Sequence, residues 1–449
     1  MQVFPFERNL PLRTDEETLI HAREAVENNQ PVYGVKGPSA LALLTKSYIR
    51  STAIDSMHLI GNIVKLLNSL WFDSKFHDKP FSLSRHVRTV DKRLKELTPP
   101  SYIERMPRTF SEHGQYWNIS ERKLWLFMYS LIVLRDLMVR EYFDHHKLLV
   151  TGLYMLHQSS ISELALQESV SLLTEYVCRF EDLYGRKYMT MTIHSLLHLG
   201  KVVEDLGPLF TTSCFPLEGL IGVLKYFVHG TRFADSQIVN SASMFQKWKT
   251  LQQKILVPGS KVETFCTHMS ERSLRLRCHR VSESTSIVGV AIRLGQIPDL
   301  IEEGFDRAGI EIDERQNVFL FQRLLYNKTL YCSEVYNISM KTKSFCVKYR
   351  VNARDHIGLI QCFVKISNCN CQRLCECASK IYALVKKCAT SYPFVTDAPR
   401  LTMSSIHQIV PGNVEAVSVD AFEMLCFFIR ISETHTAFAV EPPNRIEKE

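Results

Sequence analysis

The sequence predicts a mostly α-helical protein that ends in a β-rich module. From about residue 51 to residue 252, apolar residues recur at the helical period, as at Ile63, Leu67 and Leu70. From Asn317 onward the pattern changes to short β-branched and aromatic runs separated by polar turns. At 449 residues the chain is long enough for two or three domains with substantial hydrophobic cores.

The composition is that of an ordinary soluble globular protein, with 45% hydrophobic and 22% charged residues. The longest apolar run, 124–134, is about half the length of a membrane span and predicts a buried helix. The opening MQVFPFERNLPLRTDEE lacks an apolar segment after a basic start, so we expect no secretory signal. Without such a signal, the 13 cysteines indicate reduced thiols or metal ligands. A net charge of +7 is compatible with nucleic acid without requiring it.

The helical part is expected to begin near Ser51, because residues 1–50 are irregular and show no capping signal or strand pair. Glycine and proline at Gly207-Pro208 break the helical pattern. Residues 256–312 are rich in Ser, Arg and Glu with weak periodicity, so we interpret them as a linker. Residues 313–449 are predicted to form a small antiparallel sheet or barrel. Its strand-length runs are VFLFQRLLY, SFCVKYRV, HIGLIQCFVKI, KIYALV, EMLCFFIRI and TAFAV.

Two histidines have the spacing of a metal-ligand pair. His194 and His198 are four residues apart, so on a helix both imidazoles face the same side and can reach one ion. Two ligands do not complete a structural zinc site. On spacing alone, a helix with two partly buried histidines is the simpler interpretation.

Glu218 lies in SCFPLEGLIGVLK, two residues after Pro216. Proline and a carboxylate are both favoured in the first turn of a helix, which is a sufficient structural explanation. The functional alternative is a carboxylate presented toward a divalent metal. Three cationic or ionisable residues that follow could contact phosphate: Lys225, His229 and Arg232.

Two further groups are candidates with ordinary structural explanations. Asp55 and His58 open the first long helix, where such a pair is more often a structural hydrogen bond than a catalytic dyad. The run CNCQRLCEC contains Cys369, Cys371, Cys375 and Cys377. Four thiolates could bind zinc, but C-x-C spacing strains a tetrahedral site more than C-x-x-C does, so a cysteine-rich hairpin loop is the favoured interpretation.

Taken in order along the chain, several segments resemble the CACTA (En/Spm-like) class of cut-and-paste DNA transposases. No single segment is decisive, and the resemblance lies in their shared order, which covers nearly all of the chain up to the linker and the β module more loosely. The segments are LRTDEE (12–17), GVKGPSALALL (34–44), IDSMHLIGNIVKLLNSLW (54–71), RLKELTPPSYIERMPR (93–108), WLFMYSLIVLRDLM (125–138), FEDLYGRKYMTMTIHSLLHL (180–199), GPLFTTSCFPLEGLIGVLKYFVHGTR (207–232) and the closing AVEPPNRIE.

The resemblance implies an RNase H-like nuclease in which three acidic residues hold two divalent metal ions, Mg²⁺ or Mn²⁺. It implies that residues 1–50 are a remnant of the nuclease core and that 51–206 form an all-helical insertion domain. Residues 207–255 then hold the helix with the third acid, Glu218. The family is also similar to the recombination-activating nuclease, which implies that His194 and His198 are half of a structural Zn²⁺ site.

The expected partner is DNA at transposon ends, in the nucleus and with no membrane association. The first two acids and a C-x-x-C would lie before LRTDEE, and the first cysteine of this chain is Cys178. One glutamate cannot hold two metals in cleavage geometry, so we expect an incomplete transposase that does not cut DNA alone. The missing N-terminal half or a second copy would then be a partner.

Other interpretations stay open at this point. The chain could be a domesticated, non-enzymatic scaffold that binds DNA or protein. It could also be an unrelated helical interaction protein, although the ordered segments disfavour that. Asp55 could substitute for a missing acid, but it matches a different position of the family.

Overall fold

The computed structural model describes the chain except residues 1, 9–10, 104, 258, 271–277, 314, 337–340, 376, 395–402 and 445–449. Its helices lie mainly before residue 271 and its strands, all antiparallel, lie after residue 277. The prediction of a mostly helical part followed by a β module is therefore confirmed. An RNase H-like core is not recognisable, because the described residues up to 50 form one α-helix, a 3₁₀ turn and a single β-bridge.

The expectation that the first 50 residues lack a capping signal is wrong. Helix α1 (Asp15–Glu27) begins with a capping box, in which the Thr14 hydroxyl accepts from the Glu17 backbone and the Glu17 carboxylate accepts from the Thr14 backbone. The T-x-x-E pattern is visible in the sequence at residues 14–17. Asp15 also accepts a hydrogen bond from the Ile49 backbone, which ties α1 to the start of the helical domain.

The helical domain packs around one large core. The long helices α2, α7 and α8 contribute wholly buried side chains such as Ile63, Leu149 and Phe180. The predicted buried helix at 124–134 is confirmed, with a π-helical turn between two short α-helices. The elements are α2 (Ser56–Phe72), α3 (Val87–Glu96), α4 (Phe110–His113), α5 (Ile119–Leu124), the π turn (Trp125–Tyr129), α6 (Ser130–Leu134), α7 (Arg140–Leu156), α8 (Glu163–Tyr184), α9 (Met191–His194) and α10 (Leu199–Leu206).

Three further helices follow the helical domain: α11 (Phe215–Lys225), α12 (Ala234–Ile255) and α13 (Lys261–Ser270). Helix α11 has no buried residue, although its sequence is strongly apolar. Exposed apolar side chains continue along α12, at Met244 and Trp248 among others. The α11–α12 hairpin, residues 215–255, therefore presents an uncovered apolar surface.

The stretch 256–312, which composition predicts to be a linker, contains regular structure that joins the β module. Besides α13 it forms three short strands, β1 (Cys278–Arg280), β2 (Thr285–Val288) and β3 (Ala291–Arg293), and helix α14 (Asp299–Arg307). Ile301 and Phe305 of α14 are buried against the sheet. Gly304 faces the sheet so closely that a Cβ there would lie 2.4 Å from the Leu384 side chain.

The β module contains a four-stranded and a nine-stranded sheet. Residues 422–431 pair with β7 in their first half and with β13 in their second, so the larger sheet closes on itself. Consecutive residues of a strand point to opposite faces of this sheet, and each face has its own hydrophobic cluster. Phe363 belongs to one cluster and its neighbour Val364 to the other. The remaining strands are β4 (Asn317–Phe321), β5 (Arg323–Tyr326), β6 (Thr329–Cys332), β7 (Cys346–Val351), β8 (Arg354–Ser367), β9 (Ser379–Ser391), β10 (Ile406–Ser418), β11 (Phe422–Leu425), β12 (Phe427–Ile431) and β13 (Thr436–Val440).

Each of the six strand-length runs predicted from sequence lies in or across these strands, but the short strand β6 and the long strand β10 are missing from the prediction. The Pro411-Gly412 dipeptide of β10 is typical of a turn. In the structure the pair instead forms an irregularity within a long strand, where the register with β9 shifts between Pro411 and Val414. Such a bulge is one of the few places where a sheet accepts proline.

The helical domain and the β module share one hydrophobic core. Phe427, Ile429 and Val440 of the sheet belong to the same buried cluster as the core of the helical domain. Backbone and side-chain hydrogen bonds cross the junction, including Tyr154 Oη to the Glu441 carbonyl at 3.1 Å and the Lys343 backbone N–H to the Pro99 carbonyl at 2.9 Å.

No single helix among the described residues is long and apolar enough to cross a membrane. The segments Met191–Leu206 and Leu209–Lys225 reach the length and apolar composition of a membrane span only when taken together, and they meet at a bend of 93°.

Candidate functional site

Glu218 lies in the first turn of α11, and Pro216 occupies the start of that helix, as the sequence predicts. Its side chain is half exposed, and its Oε1 lies 3.4 Å from Nε2 of His58. The other ring nitrogen of His58 contacts the Asp55 carboxylate. The fold therefore brings the start of α11 against the start of α2, and Glu218, His58 and Asp55 form a short polar chain there.

Asp55 is committed to structural hydrogen bonds. It is the N-cap of α2, where its carboxylate accepts from the backbone N–H of Met57 and of His58, each at 3.1 Å. It also accepts from the Cys214 backbone at 2.9 Å, which fixes the start of α11. Burial by itself would raise the pKa of Asp55, but the hydrogen bonds from Cys214 and His58 outweigh it and lower that pKa.

The grouping of Asp55, His58 and the Cys214 thiol is close enough for a metal ion, since their ligand atoms lie within 4.8 Å of one another. A metal there would compete with the hydrogen bonds that Asp55 makes to backbone N–H groups, and a carboxylate has only about four lone-pair sites to share. The helix-cap interpretation of Asp55 therefore explains its surroundings better than a substitute catalytic acid does.

His194 and His198 come together as their spacing predicts. Their Nε2 atoms are 3.1 Å apart, and burial lowers the pKa of both imidazoles. Phe4 packs against His194, with the ring centres 5.4 Å apart. Among the described residues, no third Cys, His, Asp or Glu lies close enough to complete a metal site with this pair. Its role as a ligand pair stays a prediction.

The predicted phosphate-contacting residues are exposed and lie at the tip of the α11–α12 hairpin. Lys225 ends α11, and His229 and Arg232 lie in the loop before α12. Gln237 holds this loop, since its side chain accepts from the His229 backbone at 2.7 Å and donates to the Arg232 carbonyl at 2.7 Å. His229 and Arg232 are thus presented on a defined loop, next to Lys225 at the end of α11.

The cysteine-rich segment forms the connection between β8 and β9, as the hairpin interpretation predicts. Its sulfur atoms also converge, with Cys369 Sγ 3.5 Å from Cys375 Sγ and Cys371 Sγ 3.9 Å from Cys377 Sγ. All four ligand atoms lie within 4.8 Å of one another, so this cluster could hold a metal ion such as zinc. Sequence spacing undervalued it, because the C-x-C pattern alone does not reveal that the two halves of the loop face each other.

Polar groups surround this cysteine cluster. The Ser367 hydroxyl lies 3.3 Å from Cys369 Sγ, and the Asn317 side-chain amide donates to the Cys371 carbonyl at 2.6 Å. The Ser367 hydroxyl and then the Cys371 backbone N–H lower the pKa of the Cys369 thiol to about 6. Hydrogen bonding with Cys375 and then Cys377 raises the pKa of Cys371 to about 12.

A cavity of about 280 Å³ lies where the helical domain meets the β module. Aromatic and aliphatic side chains line most of it, among them Phe127, Tyr331, Phe422 and Phe427. No sequence signal could have located it, because its walls come from residues 102–128, 326–331 and 422–444.

The structure thus joins His194 with His198 and Glu218 with His58, and it separates the cysteine cluster in the β module from both. Comparison with family models, with curated proteins and with solved structures finds no match for this chain.

Proposed function

We propose that this chain is a transposase-derived protein that binds DNA in the nucleus and does not cleave it alone. The observation that carries the proposal is the α11–α12 hairpin. Glu218 stands half exposed at its base, and Lys225, His229 and Arg232 are all exposed at its tip. This arrangement agrees with the ordered resemblance to CACTA transposases, in which Glu218 matches the third metal-binding acid.

The surroundings of Glu218 support a non-cleaving protein. Two-metal cleavage needs several carboxylates around a pair of ions about 4 Å apart. The neighbouring carboxylate, Asp55, is engaged by backbone N–H groups and by His58. In the part of the chain that the structure describes, Glu218 belongs to no group of three close metal-binding side chains.

Duplex binding should depend on salt through the cationic residues. Each phosphate that a Lys or Arg neutralises contributes about 0.9 to the slope of log affinity against log salt. The double variant Lys225→Ala/Arg232→Ala should therefore weaken binding to a labelled DNA duplex and reduce that slope by about 1 to 2. Fluorescence anisotropy over a range of NaCl concentrations measures both quantities.

The matched control is Arg88→Ala/Lys95→Ala, which removes the same charge from two exposed positions on α3. We expect the control to keep most of the affinity. Equal losses in both double variants would indicate a general charge effect and would contradict a specific role for the hairpin tip. Absence of binding by the unaltered protein at low salt would overturn the DNA-binding proposal.

A nicking assay with supercoiled plasmid and Mg²⁺ or Mn²⁺ tests the second half of the proposal. We expect no metal-dependent nicking by the purified chain. Robust cleavage that is abolished by Glu218→Gln and retained in Glu204→Gln, an exposed acid on α10, would show that the chain holds a complete active site.

The apolar surface of the hairpin favours a second candidate function, a non-enzymatic scaffold for protein assembly. Leu220, Val239, Met244 and Trp248 are exposed at 54%, 62%, 66% and 41%. Exposed apolar surface of this kind is typical of a protein contact. Light scattering on the unaltered chain and on Leu220→Gln/Met244→Gln, which adds no charge, separates the two functions, since a scaffold would lose self-association while DNA affinity stays unchanged.

A further inference from the structure

We propose that Cys369, Cys371, Cys375 and Cys377 bind one structural zinc ion, which clamps the connection between β8 and β9. The site lies in the β module and involves neither Glu218 nor the hairpin tip. It therefore goes beyond the proposed DNA-binding function and stands or falls separately from it.

The sulfur positions match tetrahedral zinc. A Zn–S bond of about 2.3 Å in a tetrahedral site places the sulfurs about 3.8 Å apart. The distances of 3.5 Å for Cys369–Cys375 and 3.9 Å for Cys371–Cys377 bracket that value. All six pairs lie within 4.8 Å, so one ion can reach every sulfur after small side-chain adjustments.

The chain reversal between β8 and β9 brings the two C-x-C pairs face to face. Cys369 of the first pair contacts Cys375 of the second, and Cys371 contacts Cys377. Each sulfur of one pair therefore lies beside a sulfur of the other pair, and all four are close enough to share one ion.

A buried cation lies against the cluster. Lys365 on β8 is wholly buried, and its ammonium contacts cysteine atoms: it donates to the Cys375 carbonyl and lies 3.8 Å from Cys375 Sγ. Four thiolates around Zn²⁺ carry a net charge of −2, so a buried ammonium beside them is electrostatically favourable. Without an anionic cluster, its burial would be costly.

Neutral donors complete the surroundings. The Asn317 amide donates to the Cys371 carbonyl at 2.6 Å and lies 3.9 Å from Cys369 Sγ, and Ser367 lies 3.3 Å from the same sulfur. Arg293 in turn holds Asn317 at 2.7 Å. Hydrogen bonds of this kind orient metal ligands and stabilise their negative charge. They also connect the loop to β3 and β4.

Zinc content of the purified full-length chain, prepared under reducing conditions and without chelators, tests the proposal. We expect one equivalent of zinc by inductively coupled plasma mass spectrometry, and its loss in Cys375→Ser. The matched control is Cys178→Ser, which replaces an exposed cysteine of the helical domain and should keep the ion. A His194→Ala/His198→Ala variant should also keep it, which separates this site from the histidine pair.

Cobalt provides a second readout that does not depend on whether a variant folds. Adding Co²⁺ to the zinc-stripped, unaltered chain should give the thiolate charge-transfer and visible bands of a tetrahedral sulfur site, and one equivalent of Zn²⁺ should remove them. Far-UV circular dichroism of Cys375→Ser and of Cys377→Ser, which alters an exposed ligand, shows whether metal is lost from a folded protein.

Three outcomes would overturn the proposal. The first is an unaltered chain that takes up neither zinc nor cobalt while reduced. The second is a zinc ion lost with the histidine pair and kept in the cysteine variants. The third is a cluster that stays as two disulfides after preparation under reducing conditions, seen as four fewer titratable thiols and a mass lower by four hydrogens.

Discussion

At the scale of single residues, Arg93 links the helical domain to the β module through ion pairs. Its side chain is 2% exposed and pairs with both Asp136 oxygens at 2.6 and 2.7 Å and with Glu433 at 2.8 Å. These hydrogen bonds hold the pKa of both carboxyls below its usual range. Glu433 lies in the turn between β12 and β13, so the pairing crosses from one part of the molecule to the other.

Arg93→Ala should lower the free energy of unfolding by about 3 kcal/mol, because it removes the central partner of a buried pair. The value is at the low end for such a change because Asp136 is half exposed and can be solvated. Lys95→Ala, an exposed position on the same helix, should change stability by less than about 0.5 kcal/mol. Urea denaturation measures both; equal stability of the two variants would contradict this role for Arg93.

Buried histidines make stability depend on pH. Burial lowers the pKa of His145 to about 4 and of His146 and His157 to about 3, against an ordinary value of 6.5. Between those values the unfolded chain binds more protons than the folded chain, so stability falls as the pH falls below about 6.5. Each of these histidines should make the free energy of unfolding about 2 kcal/mol lower at pH 5 than at pH 7.5.

Denaturation at both pH values tests this dependence. His157→Gln should reduce the loss between pH 7.5 and pH 5 by about 2 kcal/mol, whatever its own effect on stability. The control His86→Gln, at an exposed position, should leave the loss unchanged. A pH response that is the same in the unaltered protein and in both variants would mean that His157 is not buried in the neutral form.

At the scale of elements, a substitution in α14 tests whether residues 256–312 belong to the β module. A Cβ at Gly304 would lie 2.4 Å from the Leu384 side chain and 3.5 Å from that of Val414. Gly304→Val should therefore force the helix away from the sheet and cost about 1–3 kcal/mol. Gly295→Ala, where no atom lies within 4 Å of the added Cβ, is the control. If Gly304→Val left the stability in thermal or urea denaturation unchanged, α14 would not be packed against the sheet.

Element prediction succeeded where one physical signal dominated and failed where two competed. Strong 3.6-residue periodicity predicts the helices near residues 59–70 and 124–134, and Pro216 lies in the first turn of helix α11 as expected. Strand β10 was missed because Pro411-Gly412 is a turn signal that the sheet accommodates as a bulge. The short strands β1 to β3 and β6 were missed because three or four residues are too few to show a period.

At the scale of the whole molecule, the shared core predicts one cooperative unfolding transition for the helical domain and the β module. Phe427 of β12 is buried against Tyr102 and Tyr129, with ring centres 6.1 and 5.9 Å apart. Phe427→Ala should cost about 3–5 kcal/mol and shift the whole transition. Phe428→Ala, on the opposite face of the same strand, should cost less because Phe428 is only partly buried.

Differential scanning calorimetry measures this directly. A single peak that moves to lower temperature in Phe427→Ala is expected, with near-UV circular dichroism lost at the same temperature. Two peaks, of which the substitution moves one, would show that the two parts unfold independently.

The sequence by itself determined that a helical domain precedes a β module. It also located the histidine pair, the helix that holds Glu218 and the cysteine-rich hairpin. Those features depend on local periodicity, caps and turns, which neighbouring residues along the chain specify. Only the tertiary structure decided that Asp55 also holds Cys214, that Lys365 lies buried against the cysteine sulfurs, and that the two parts share a core. Each of these is a contact between residues far apart in the chain or across a loop, whose distances no local pattern encodes.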